Sequence, residues 1–239
     1  MLISRTHRLS LLSIALGSTL LVTQMPLVAQ ASTNKPTASS VLKAVKAAML
    51  KEAGVHITVN SRSGTTFNSV IADLGVKGGF ETFVSGKSNI KISVTPTYAY
   101  LSGNASGLTS LVGLTTSQQK LVGTKSIAMK VGTSPYTSFH SNLTTAAFVA
   151  FLPTNKGIVL TRDKSKDYIL TWTTPATSSI SKSKSVLTIG SGKKRLPIKE
   201  VVSSKTGGGT TKFSKWGETV KGPVPRASSI ISYAAVIKG

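Results

Sequence analysis

Leu196–Val220, LPIKEVVSSKTGGGTTKFSKWGETV, is the stretch on which the fold turns. Leu196, Ile198 and Val202 recur at period two, the spacing of a strand with one face on a core. Gly207-Gly208-Gly209 can supply the positive φ angles of a tight or bulged turn. Thr210-Thr211-Lys212-Phe213 then starts a return strand that ends at Ser214-Lys215-Trp216-Gly217. The stretch predicts one antiparallel hairpin.

The same period extends outward. Val55-Ile57-Val59, Phe67 to Leu74, Phe80 to Val84, Ile90-Ile92-Val94 and Tyr98-Tyr100 read as successive strands. Ser61–Gly64, Gly75–Gly79, Gly86–Asn89 and Pro96 separate them, as in an antiparallel meander. Further strands are expected at Gly157–Leu160, Tyr168–Thr173 and Ser185–Ile189, with a last apolar segment at Ile230–Ile237. Helical spacing shows in three places. Val41, Leu42, Val45, Ala48 and Met49 follow a cap at Ser39 or Ser40 and stop before Gly54. Ala105–Leu114 and Ser117–Val122 carry Leu108, Leu111, Leu114 and Leu121, and Leu143–Leu152 follows a cap at Asn142. The chain is expected to be α+β: a large antiparallel sheet with a few helices covering one face.

The first residues have the form of an export signal. Arg5 and Arg8 precede the apolar run Leu9–Val22, and Ala29-Gln30-Ala31 is a small-x-small cleavage site. The run falls short of the roughly 20 residues that span a bilayer. Residues 1–31 are read as a signal peptide cut between Ala31 and Ser32, residues 32–40 as a disordered linker, and 41–239 as a single domain. The expected location is the bacterial cell envelope or the exterior.

Composition narrows the chemistry. The absence of Cys excludes thiol catalysis, thiolate metal sites and a lipidated cysteine. With 29 Lys and Arg against seven Asp and Glu, the formal charge is +22, a field that attracts anionic membrane surfaces or wall polymers. The cations are scattered, and Lys182–Lys184 and Lys193-Lys194-Arg195 lack interleaved aromatics, which argues against nucleic acid. So few carboxylates also predict a charge that barely changes on acidification, hence a protein suited to an acidic medium.

Catalytic vocabulary is present only in fragments. Ser40-Val41-Leu42-Lys43 and Ser117-Gln118-Gln119-Lys120 fit S-x-x-K, and Lys205-Thr206-Gly207 fits K-T-G, but Ser and Lys are abundant and the last triplet enters a turn. Gly86-Lys87-Ser88 lacks the glycine and the helix of a phosphate loop. Beyond residue 31 only His56 and His140 remain, neither at metal-ligand spacing, and Asp163 and Asp167 read as a salted turn. No catalytic residue, cofactor or metal is expected. The apolar inserts carry the other chemistry. Leu108, Leu111, Leu114, Phe148, Phe151 and Leu152 are candidates to line a cavity for an acyl chain, with Tyr98 and Tyr100 at its mouth.

Four stretches carry a family resemblance: Asn89–Val94 followed by Ala99–Asn104, the leucine-rich Leu108–Leu114, Leu196–Glu200, and Phe213-Ser214-Lys215-Trp216-Gly217. The order resembles the LolA-like carriers, especially their mycobacterial lipoprotein branch. The resemblance implies a strongly curved, half-barrel sheet around helices, an apolar concavity for acyl chains and no enzymatic activity. Two departures stand out: Ala31-Ser32 where many relatives carry a lipobox cysteine, and Ile127 where they often have Trp. The expected function is an exported, monomeric carrier or binder of lipid or acylated molecules. The alternative is a basic envelope module with a filled core that binds anionic wall polymer or a partner protein.

Overall fold

The computed structural model describes residues 35–110, 112–153, 157–177 and 181–238. The signal-peptide reading and Leu111 lie outside them, and of Phe151 only the backbone is described. Among the described residues no helix is long and apolar enough to cross a membrane.

The chain opens with helix α1 (Ala38–Met49), which begins inside the stretch expected to be linker because Thr37 caps it. The Thr37 hydroxyl accepts from the Ser40 N–H while Ser40 returns to the Thr37 N–H, satisfying two otherwise orphan donors. A meander follows: β1 (Gly54–Ser63), β2 (Thr66–Gly75), β3 (Gly79–Ser85), β4 (Ser88–Val94) and β5 (Tyr98–Gly103). Helices α2 (Ala105–Ser110) and α3 (Thr116–Val122) lead to β6 (Ser126–Lys130), then to α4 (Ser134–His140) and α5 (Thr145–Phe151). The second half runs β7 (Val159–Arg162), β8 (Tyr168–Thr174), β9 (Ser183–Ile189), β10 (Pro197–Ser204) and β11 (Gly207–Ser214), closing with β12 (Ile230–Ser232) and α6 (Tyr233–Lys238).

All strands belong to one 12-stranded sheet in the order β12-β6-β5-β4-β3-β2-β1-β11-β10-β9-β8-β7. Every pairing is antiparallel except β12 with β6, so the sheet is mixed rather than purely antiparallel. The last apolar segment, Ile230–Ile237, splits into that parallel strand and a helix. Laid flat, 12 strands at about 4.8 Å would be over 50 Å wide. Yet Ile127 and Met129 at one side and Leu170 and Trp172 at the other belong to one apolar cluster with α1 and α5. The sheet therefore curls around its helices, as open sheets of this width do.

Pairing register sorts the side chains into rows on two faces. The inner, helix-facing side carries Ile127-Leu101-Ile92-Glu81-Ala72-Ile57-Phe213 and, beside it, Ile90-Phe83-Val70-Val59-Thr211-Glu200-Leu187-Leu170. These positions are mostly buried, and α5 lies against them, with the Phe148 ring 5.4 Å from that of Phe213.

The opening hairpin forms, but its glycines work differently from the expectation. Lys205 and Thr206 make the turn, while Gly207-Gly208-Gly209 lie within β11 and have no positive φ. A Cβ on Gly207 would stand 2.0 Å from the Arg62 carbonyl oxygen, and one on Gly208 2.5 Å from that of Val202. The triplet lets β1 and β10 approach β11 closely. The period of β10 is corrected as well. The register shifts between Pro197 and Lys199, so Pro197 turns inward and Ile198 is left 42% exposed.

Candidate ligand-binding interior

The predicted cavity residues separate into two groups. Leu108 on α2, Leu114 beyond it, Phe148 on α5 and Leu152 at its end are buried in one apolar cluster. Thr144, not Asn142, caps α5, accepting from the Ala147 N–H at 3.2 Å, and a bridge from Thr144 to Gly75 ties the helix start to the end of β2. From α1, the Lys46 ammonium donates to the Leu152 carbonyl oxygen at 3.0 Å, and partial burial lowers its pKa.

Tyr98 and Tyr100 do not join them. Tyr100 pairs with Ser93 and Ala128, whereas its neighbour Leu101 pairs with Ile92 and Ile127. Strand alternation therefore puts both tyrosines on the outer face, stacked on each other at 5.9 Å. Burial, followed by the proximity of Tyr98, raises the Tyr100 pKa. Residues after β11 cross this region of the outer face, where the Pro223 carbonyl accepts from the Ser93 hydroxyl at 2.6 Å.

Sequence reasoning missed the polar content of the interior. Among the described residues, four buried side-chain oxygens have no hydrogen-bond partner: Ser61 Oγ, Glu81 Oε1, Ser185 Oγ and Glu200 Oε1. By register all four face the helices. Burial pushes the Glu81 carboxyl up to about 8. It pushes Glu200 up to about 7, with the adjacent Ser185 hydroxyl opposing the shift from outside hydrogen-bonding geometry. The remaining buried acid, Glu52, is paired with Lys194 at 2.9 Å. The inner face thus combines apolar rows with two carboxyl groups whose burial favours the protonated form. The signal was present at position 200, where the inward period of β10 falls on Glu.

On the outer face β1 and β2 bring His56 Nδ1 to 2.9 Å from Asp73 Oδ1, and His56 Nε2 lies 3.5 Å from the Thr58 hydroxyl. Cross-strand pairing makes neighbours of residues 17 apart in sequence, which spacing alone could not reveal. Among the described residues no group of three or more His, Cys, Asp or Glu gathers as a metal site. Asp163 and Asp167 close the β7–β8 turn, the Asp167 N–H donating to Asp163 Oδ1 at 2.9 Å.

No family model and no curated protein matches the chain. Solved structures do. The chain is similar to two mycobacterial proteins, the first of them a lipoprotein. One is LppX of Mycobacterium tuberculosis, with a TM-score of 0.42 and 14% identity over 79% of this chain and 99% of that one. The other is LprF of Mycobacterium bovis, with a TM-score of 0.42 and 16% identity over 79% of this chain and 97% of that one.

Proposed function

We propose that the chain is an exported, non-enzymatic carrier of lipid or acylated molecules in the bacterial cell envelope. The observation that supports this reading is the set of unpartnered oxygens on the inner face. Each desolvated, unpaired polar group costs about 1–3 kcal/mol, and a core kept only for packing is more stable with aliphatic residues in those places. An amphiphile entering between sheet and helices would lay its acyl chain along the apolar rows, at about 0.8 kcal/mol per buried methylene. Its ester or hydroxyl groups would meet Glu81, Glu200 and the two serines.

A second reading has its own support. Leu108, Leu114, Phe148 and Leu152 are each no more than 4% exposed, as in a filled core. That favours a basic envelope module that binds anionic wall polymer or a partner protein and encloses no ligand. Titration of lipid-stripped protein with a fluorescent monoacylglycerol separates the two. Saturable uptake at one probe per chain is expected of the carrier; no uptake at any probe concentration leaves the module.

A further inference from the structure

The outer face of the sheet has a composition of its own. One row runs Thr188-Lys199-Lys212-Thr58-Ile71-Thr82-Lys91-Ser102 across eight strands. Lys199, Lys212 and Lys91 are all exposed, and Ile71 is 46% exposed among them. Lys199 and Lys212 stand directly opposite each other, a pairing that like charge makes unfavourable. Four residues further along β1 and β2, on the same face, Arg62 pairs with Phe67, which is 54% exposed.

No carboxylate stands in these rows. Of the seven acidic residues, Glu81 and Glu200 point inward and Glu52 is held by Lys194. Asp163 and Asp167 sit at the β7–β8 turn, Glu218 follows β11, and Asp73, the acid on the outer strand face, is paired with His56. A stripe of uncompensated Lys and Arg alone would suit any polyanion. Exposed Phe67 and Ile71 in the same field narrow the choice, because an aromatic and an aliphatic side chain gain from entering a headgroup layer and gain little from a hydrated polymer.

We infer that the outer sheet face, centred on Lys91, Lys199, Lys212, Arg62, Phe67 and Ile71, is a docking surface for an anionic phospholipid bilayer. This deepens the charge-mediated partnership of the envelope readings and is independent of whether the interior carries an acyl chain.

Co-sedimentation of the full chain with phosphatidylcholine vesicles, and with vesicles containing 30% phosphatidylglycerol, tests it. All variants keep the same N-terminus, so any contribution of Arg5, Arg8 and the apolar run is common to them and cancels in comparisons between variants. The wild type is expected to prefer the anionic vesicles and to lose that preference in high salt. Lys91→Gln/Lys199→Gln/Lys212→Gln is expected to weaken anionic binding about a hundredfold. Lys120→Gln/Lys125→Gln/Lys193→Gln, with the same charge change on other elements, is expected to weaken it much less. Phe67→Ser/Ile71→Ser is expected to lower binding about tenfold without altering binding to soluble polyphosphate.

Equal losses from the two lysine sets would overturn the proposal in favour of net charge. Unchanged vesicle binding by Phe67→Ser/Ile71→Ser would overturn it in favour of a polymer, and equal binding to both vesicle types would overturn it outright. Monoacylglycerol uptake, measured on the same variants, is expected to be unaffected, so a failure here is distinct from a failure of the carrier reading.

Discussion

Phe148 and Phe213 meet with their ring centroids 5.4 Å apart, joining α5 to β11 on the inner face of the sheet. A seven-residue helix has little stability of its own, so this contact and the Thr144 cap hold it in place. Phe148→Ala is predicted to destabilise the fold by about 3–5 kcal/mol in urea denaturation. An unchanged midpoint would mean that α5 is not packed on the sheet.

Glu81 and Glu200 predict an unusual pH dependence. Their folded pKa values, about 8 and about 7, lie above the ordinary carboxyl value of 4.5. Between the two limits the unfolded chain has lost protons that the folded chain retains, so stability falls as pH rises. Stability contributed by these groups is fully present below about pH 4.5, and it is lost on rising through pH 7 for Glu200 and pH 8 for Glu81. Thermal unfolding between pH 4 and 9 should show a decline toward alkali that Glu81→Gln/Glu200→Gln flattens. A parallel decline in wild type and variant would assign it to other groups. The slope agrees in direction with the acid tolerance expected from the scarcity of carboxylates.

Gly207 is predicted to tolerate no side chain. A Cβ there meets the Arg62 carbonyl oxygen at 2.0 Å, so Gly207→Ala must push β1 away from β11, at a cost of about 1–3 kcal/mol. Gly192, where a Cβ meets nothing within 4 Å, serves as the control, and Gly192→Ala should leave the melting temperature within a degree or two. Equal effects at both sites would remove the close-approach explanation.

Strand alternation made much of the fold legible in the sequence. Val55-Ile57-Val59 and Ile90-Ile92-Val94 each point one apolar face at the helices as their spacing implies. What stayed hidden depends on long-range register. Ile198 was read as inward because a bulge at Pro197 cannot be seen in period-two spacing. The sequence places Tyr98 and Tyr100 at the cavity mouth, although Ala99 between them, paired with Val94 and Met129 on the inner face, fixes them on the other face. The Gly207–Gly209 run carries an ambiguity of composition, since a turn and a close strand contact both ask for glycine. Leu108, Leu114, Phe148 and Leu152 do come together, because helical spacing beside a sheet leaves an apolar stripe one place to go. Of the acids among them, Glu200 falls on the inward period of β10, whereas the direction of Glu81 shows only in the strand pairing.

Whether this interior receives an acylated molecule is decided by native mass spectrometry of the protein purified from its own host without detergent. A carrier shows a mass excess of one acylated molecule per chain that organic extraction removes and that the stripped protein regains from added monoacylglycerol. A mass equal to that of the polypeptide alone, with no gain on addition of monoacylglycerol, would contradict the carrier reading.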